Sequence, residues 1–245
     1  MEADTQLRDM LQVFALEHRY YGYRRLTKLV CRAGLPTNHK RVLRVMREDN
    51  LLCMRKKAFV PATTDSRHSW EPHRNLARGL STTALNQLWV ADITYIRLQQ
   101  QHVYAAVVLD AHSRRVVGWA VEAHLGALLP IRALQMALAA RRPEPGMIHH
   151  SDRGVQYACP AYVDILHQGG IQGSMSRVGN PYDNAKAESF MRTLKKEEVD
   201  GTQYRDLTEL RARLASFFEN TYNINRLHSS LGYLSPDEFE RRLQT

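Results

Sequence analysis

Cysteine is scarce: three occur in 245 residues, Cys31, Cys53 and Cys159, and no two form a Cys-x-x-Cys pair. An odd, scattered set excludes a disulfide framework and fits small apolar fillers in a reducing cytosol. Cys31, Cys53, His18 and His39 also lack the paired spacing of a zinc finger, and Gly22 and Gly34 form no phosphate loop. No apolar run approaches the ~18 residues of a membrane span. The N-terminus, Met1-Glu2-Ala3-Asp4, has no basic start followed by an apolar stretch, so neither membrane insertion nor secretion is expected. Internal repeats and low-complexity tracts are missing too, which removes solenoids.

What remains is an ordinary globular composition, 44% hydrophobic and 24% charged, long enough for one large domain or two small ones. The charge is informative because it is uneven. Residues 1–80 carry 16 basic and 8 acidic side chains, whereas 81–245 carry 18 and 17. Nearly all of the net +9 therefore sits in the first third. Such a segment suits phosphate binding, through release of condensed counterions, and also suits plain solubility.

Along the chain, Leu7, Leu11, Phe14 and Leu16 space as a helix, and Leu26, Leu29 and Val30 repeat the pattern after Gly22, predicting helix over 4–33. Gly34 and Pro36 break it. Asn38 is an expected N-cap for a helix over 39–50, with Val42, Val45 and Met46 on one face and Lys40, Arg41, Arg44 and Arg47 on the other. This is the helix-turn-helix layout, and equally that of a helical hairpin with a solvated charged face. Residues 55–88 have no periodicity and read as a basic linker. Segments 89–97, 102–110 and 114–122 are β-branched and aromatic with short connections, predicting three antiparallel strands. A helix at 126–140, a strand at 147–151, a helix at 160–168 and a strand near 171–174 follow. After a Gly/Asn/Pro loop at 176–183 come helices near 184–199 and 206–225, and a last one from Pro236. The expected fold is α/β, a mixed sheet flanked by helices.

Three carboxylates stand where chemistry could use them. Asp92 interrupts an apolar strand, a costly place for a charge unless it is paired, hydrogen-bonded or bound to a cation. Asp152 ends a short strand in His149-His150-Ser151-Asp152-Arg153-Gly154, and Glu188 follows after 35 intervening residues. Each has a plainer reading: Asp152 pairing with Arg153 or capping its turn, Glu188 solvated on a helix, Asp183 as an N-cap. Taken together, an all-oxygen set suits Mg²⁺ or Mn²⁺, and without a cation the like charges would raise one another's pKa. Lys195 lies seven residues past Glu188, about 10.5 Å along a helix and on the same face, with Arg192 joining it at i+4. His149 and His150 are possible additional ligands or structural residues, and Tyr222 and Tyr233 offer rings for base stacking or for core packing.

These strings resemble the OrfB transposase portion of the insertion-sequence-three (IS-three) family, within the DDE and retroviral-integrase group. The resemblance runs through Trp89-Val90-Ala91-Asp92-Ile93-Thr94-Tyr95-Ile96, His150-Ser151-Asp152-Arg153-Gly154-Val155-Gln156-Tyr157 and Gly179–Phe190. It continues in Leu194-Lys195-Lys196-Glu197, the segment Tyr222–Tyr233 and Ser235-Pro236, and upstream in Tyr21-Gly22-Tyr23-Arg24-Arg25-Leu26 and Asn38-His39-Lys40-Arg41-Val42. Leu85 and Ala91 depart from the family's usual Pro and Thr without touching a carboxylate.

The resemblance implies an RNase H-like mixed sheet flanked by helices, the integrase catalytic core, preceded by a small all-α helix-turn-helix module. The corresponding division is 1–54 for the module, 55–85 for a basic linker and 86–245 for the core with C-terminal helices. It implies catalytic, metal-binding roles for Asp92, Asp152 and Glu188 toward two Mg²⁺ ions, with Mn²⁺ able to substitute. It also implies DNA contacts by Lys195, Arg192, Lys40, Arg41, Arg44, Arg47, Arg24 and Arg25. The expected activity is 3′-end cleavage and strand transfer of insertion-sequence DNA. The expected partners are terminal inverted repeats, target DNA, further copies of the chain (at least a dimer on DNA) and the upstream-frame OrfA product or a frameshift fusion with it. The expected location is the bacterial cytoplasm, on the nucleoid. Two rival classes are a DNA-binding regulator or assembly subunit without catalysis, and a standalone RNase H-like nuclease. The complete carboxylate set speaks against the first, and Lys195 with the match through Tyr233 against the second.

Overall fold

A computed structural model of the chain describes residues 2–53, 73–177 and 181–244, which fall into two compact units. The first draws on Met1–Val60 and Leu227–Leu234, the second on Pro61–Arg226 and Ser235–Thr245. No helix among the described residues is long and apolar enough to cross a membrane.

In the first unit, helices α1 (Glu2–Glu17), α2 (Tyr23–Arg32) and α3 (His39–Glu48) enclose Leu7, Leu11, Leu26, Val30, Val42, Val45 and Met46. The helix expected over 4–33 is in fact two. His18 and Tyr21 stack at 4.6 Å in the turn between them, Tyr21 is buried, and extended Gly22 starts α2. Glycine's poor helix propensity makes this the cheapest place to break. Leu16, expected on the apolar face, is 69% exposed. Asn38 does cap α3, its Oδ1 accepting from the Lys40 amide at 2.8 Å. Residues 227–234, expected within the 86–245 division, group with this unit. Leu227 joins its apolar cluster and donates its amide to the Tyr21 hydroxyl at 2.8 Å, while Arg32 donates to the Tyr233 carbonyl at 2.7 Å.

The second unit is built on a sheet of β1 (Leu88–Arg97), β2 (His102–Asp110), β3 (Val116–Glu122), β4 (Ile148–Ser151) and β5 (Gln172–Met175), in the order β3-β2-β1-β4-β5. Short connections make β1, β2 and β3 antiparallel neighbours. Helix α4 (Leu128–Arg141) lies between β3 and β4, and α5 (Val155–Ala158) with α6 (Pro160–Gln168) lies between β4 and β5. Such crossovers are what parallel pairing needs, and β4 runs parallel to β1, β5 to β4. The strand expected from 114 begins at Val116, because Arg114 adopts φ +65° in a turn organised by the Asp110 side chain. Asp110 accepts the amides of Asn86, His112 and Ser113 at 2.7–3.0 Å.

Side chains alternate between two apolar layers, as strand geometry requires. Trp89 and Ala91 face α4, α5 and α6; Leu88 and Val90 face α7 (Ala185–Leu194) and α8 (Leu207–Ser216). Gly118 lets α4 settle onto β3, since a Cβ there would lie 2.2 Å from the Ala133 carbonyl oxygen. The helices expected over 184–199 and 206–225 hold, but each changes winding: α7 continues as a π-helix over Lys195–Val199, and α8 over Phe217–Asn225. A last helix, α9 (Pro236–Leu243), starts with a Ser235/Glu238 capping box. Of the expected linker, residues 55–72 lie outside the described residues. Its later part is attached to the sheet, where Leu76 donates its amide to Ser174 Oγ at 2.8 Å.

Candidate active site

The parallel pairing of β1 with β4 brings two carboxylates together. Val90 pairs with His150, the last pair of that ladder, and Asp92 and Asp152 each lie two residues beyond it. Asp92 is in an even position of β1, like Val90, and so faces α7. Its Oδ1 accepts the Ile93 amide at 2.8 Å. Asp152, just past the end of β4, accepts the Gly154 amide at 3.0 Å.

Glu188 arrives on the first turn of α7, and two ties hold that turn to the sheet. Asn184 Nδ2 donates to the Ala91 carbonyl at 2.9 Å, beside Asp92, and Lys186 Nζ donates to the Ala111 carbonyl at 3.0 Å. Asp183 does not cap α7. It accepts from the amide and guanidinium of Arg177 at 3.0–3.1 Å, which holds its carboxyl down at about 2. Residues 178–180 of the preceding loop lie outside the described residues.

Asp92, Asp152 and Glu188 are all partly open to solvent. Even so, the protein mass around Asp92 pushes its carboxyl up to about 8, and the neighbouring charges of Asp152 and then Glu188 push the same way. Burial also raises Glu188, against the pull of Arg192. Lys195 stands 4.5 Å from the ring centroid of Tyr95 on β1; burial lowers its ammonium, and Asp92 opposes that. A carboxylate raised by burial and then by two neighbouring carboxylates is a site short of positive charge. The oxygen-only donor set fits Mg²⁺ or Mn²⁺. No group of three His, Cys, Asp or Glu side chains among the described residues is arranged to hold a metal ion as it stands.

His149 and His150 are occupied elsewhere. His149 Nε2 meets the Tyr162 hydroxyl at 2.6 Å, and His150 bridges Ser174 Oγ (2.8 Å) and Ser176 Oγ (3.1 Å). Burial drives the two rings down to about 3 and about 4, keeping both neutral. Tyr222 is buried against Phe190 at 4.8 Å, a packing role. Arg192 is exposed near Glu188. In the first unit, Lys40 and Arg47 are exposed, Arg24 lies over Tyr23 and Arg25 over Tyr21. Arg41 and Arg44 both reach Asp4, at 2.7 and 3.3 Å, and Arg44 also Glu48 at 2.8 Å. Those two expected DNA contacts are thus already engaged within the unit. Sequence reasoning passed over Asp110, Asn184, Lys186 and Tyr95. Only Asp110, a carboxylate closing an apolar strand, carried a visible signal.

Known proteins match over nearly the whole chain. Two integrase core domain families match residues 82–181 and 169–236, and an HTH-like domain family matches 2–59. The chain is 37% identical over 243 residues to an uncharacterised 31 kDa protein of insertion element IS600 from Shigella sonnei, covering 98% of this chain and 89% of that one. It is 36% identical over 236 residues to a transposase for element IS904 of Lactococcus lactis (92% and 89% covered). It is also 36% identical over 233 residues to transposase InsF for IS3A of Escherichia coli K12 (95% and 81% covered). A chain of the simian T-cell lymphotropic virus intasome, solved with the PP2A regulatory subunit B56 gamma, matches with a TM-score of 0.54 at 15% identity. That likeness covers 94% of this chain and 73% of the other, and is one of fold.

Proposed function

The chain belongs to the IS3-type transposases of insertion sequences, and from that premise we propose that Asp92, Asp152 and Glu188 are its catalytic carboxylates. The protein is a DNA transposase, a polynucleotidyl transferase built on an integrase core. One observation supports the assignment: Asp92 and Asp152 each lie two residues past the Val90–His150 pair of adjacent strands, and burial, then Asp152 and Glu188, raise the Asp92 carboxyl.

Asp92 and Asp152, from neighbouring strands, and Glu188, from α7, would hold two Mg²⁺ or Mn²⁺ ions. Bound there, the pair supplies charge stabilisation at the attacking and leaving oxygens of a phosphodiester. The chain's own part is binding and orientation. Asn184 and Lys186 fix the turn that carries Glu188. Lys195 and Arg192 present cations beside the carboxylates for the DNA phosphates, and Lys195 is steadied by the Tyr95 ring. Water breaks the phosphodiester at the element's end and frees a 3′-OH. That hydroxyl then attacks a target phosphodiester, forming one P–O bond as another breaks.

In this reading the HTH-like segment, 1–54, holds terminal inverted-repeat DNA through Lys40, Arg47, Arg24 and Arg25. Arg41 and Arg44 contribute once they leave Asp4. Residues 55–85 link it to the catalytic core. The acting species is an oligomer, at least a dimer on DNA, working with the upstream-frame OrfA product or as a fusion with it.

The test is strand transfer by the full chain on labelled end DNA in Mn²⁺. Asp152→Asn and Glu188→Gln are expected to abolish cleavage and joining while gel-shift binding of the same DNA persists. Near wild-type joining by either variant would remove that residue from the site.

A further inference from the structure

One buried group beside the carboxylates has no task in this mechanism. Tyr157, on the single turn of α5 that follows Asp152, is 2% exposed and packs edge-on against Tyr162 at 5.4 Å. Its hydroxyl is buried with no hydrogen-bond partner among the described residues. An orphaned buried hydroxyl is costly, and native structures rarely keep one without a use. Nor is it alone, because the Oδ1 of Asn184, whose amide nitrogen holds the Ala91 carbonyl beside Asp92, is also buried without a partner among the described residues.

Geometry ties the tyrosine to Asp152. A Cβ placed on Gly154 would lie 3.1 Å from Asp152 Oδ1 and 3.7 Å from Tyr157 Cδ2, so carboxylate and ring close over the same bare stretch of backbone. A phenol keeps its proton at neutral pH, so the buried hydroxyl can only gain by donating it to an acceptor. Carboxylates that grip a cation need such donors, which fix the oxygen that faces the ion.

We propose that Tyr157 is a positioning residue of the metal site, its hydroxyl donating a hydrogen bond to the Asp152 carboxylate when the carboxylates turn inward on a divalent cation. The inference rests on the reading of Asp92, Asp152 and Glu188 given above. It explains why a residue packed as core keeps a hydroxyl where phenylalanine would avoid the desolvation cost.

The experiment is a Mn²⁺ titration of the full chain without DNA, following free Mn²⁺ by its paramagnetic resonance signal. Wild type, Tyr157→Phe, Asp152→Asn and the double variant are compared, with thermal melting in cation-free buffer alongside. Tyr157→Phe is expected to weaken Mn²⁺ binding about ten- to a hundred-fold, the usual range for a lost partner of a metal ligand. Its cation-free melting should match or exceed wild type, since the variant sheds an unsatisfied group. In the Asp152→Asn background the same exchange should add little. Wild-type Mn²⁺ affinity in Tyr157→Phe, with weakened affinity in Asp152→Asn, would overturn this inference alone. Wild-type affinity in Asp152→Asn as well would overturn the reading of the site. A Tyr157→Phe chain that does not fold without cation would show the hydroxyl to be structural, and the proposal would fall.

Discussion

Asp92 gives the sharpest quantitative test, because its burden is visible without DNA or turnover. Its carboxyl is raised from 3.8 to about 8 by burial and by Asp152 and Glu188. Between those values the unfolded chain has released a proton that the folded chain retains. Stability therefore falls as pH rises through this window and levels off above it. Each tenfold change in proton affinity is worth about 1.4 kcal/mol, which sets an upper limit. Discounted for the side chain's opening to solvent, the penalty is on the order of 2–4 kcal/mol. Asp92→Asn removes the charge and keeps the shape.

Urea unfolding in chelator at about pH 5 and about pH 9 should show wild type losing roughly that much relative to the variant. His149 and His150, held near 3 and 4, act in the opposite sense: stability rises as pH climbs toward their ordinary 6.5. They are present in both proteins and cancel in the difference. Mn²⁺ at the higher pH should restore wild type and not the variant, since the ion takes the place of the proton. Parallel stability–pH curves for the two chains would refute the argument, because Asp92 would then ionise as freely folded as unfolded.

Two further outcomes follow from the helix that carries Glu188. Lys195→Ala should weaken binding of end DNA by about 1–3 kcal/mol if the ammonium reads a base, and should move the pH midpoint of Mn²⁺ binding upward, because Lys195 lowers Asp92. Unchanged gel-shift affinity would end the DNA-contact role. Arg226 pairs with Glu197 at 2.8 and 2.9 Å, with side chains only 7% and 9% exposed, and Glu197 sits on the π-helical turn begun by Lys195. Arg226→Ala strands a nearly buried charge and should cost about 3–5 kcal/mol in urea unfolding. The Arg226→Met/Glu197→Leu pair should recover most of it, and failure to recover would show that the packing there does not tolerate apolar partners.

Much of this architecture was legible in the residues because short-range physics writes it. The three hairpin-linked strands announce themselves by β-branched and aromatic runs, and Asn38 by its place before a periodic helix. The three carboxylates stood out by position and spacing, and a joint role toward a cation was expected of them. What could not be read was the register between the strands that carry two of them. A four-residue strand such as Ile148–Ser151 has no period to set its register, and the Val90–His150 pairing is a tertiary fact. The π-helical stretches, the capture of Arg41 and Arg44 by Asp4, and the Arg177–Asp183 pair are likewise side-chain choices that depend on which partner folding brings near. Tyr157 was hidden for a related reason: as a letter it reads as core, and only an unmet hydroxyl sets it apart.

The segment Leu227–Leu234 completes the N-terminal unit. Its Leu227 amide is satisfied by Tyr21, its Tyr233 carbonyl by Arg32, and Lys28 lies 5.4 Å from the Tyr233 ring. Each partner comes from the first thirty-odd residues, so the helix-turn-helix unit is not closed by its own stretch of sequence. Arg226 stands immediately before the segment, locked to Glu197 three residues past the end of α7. Within the second unit, Arg226 thus anchors its stretch of chain to the π-helical turn that Lys195 begins.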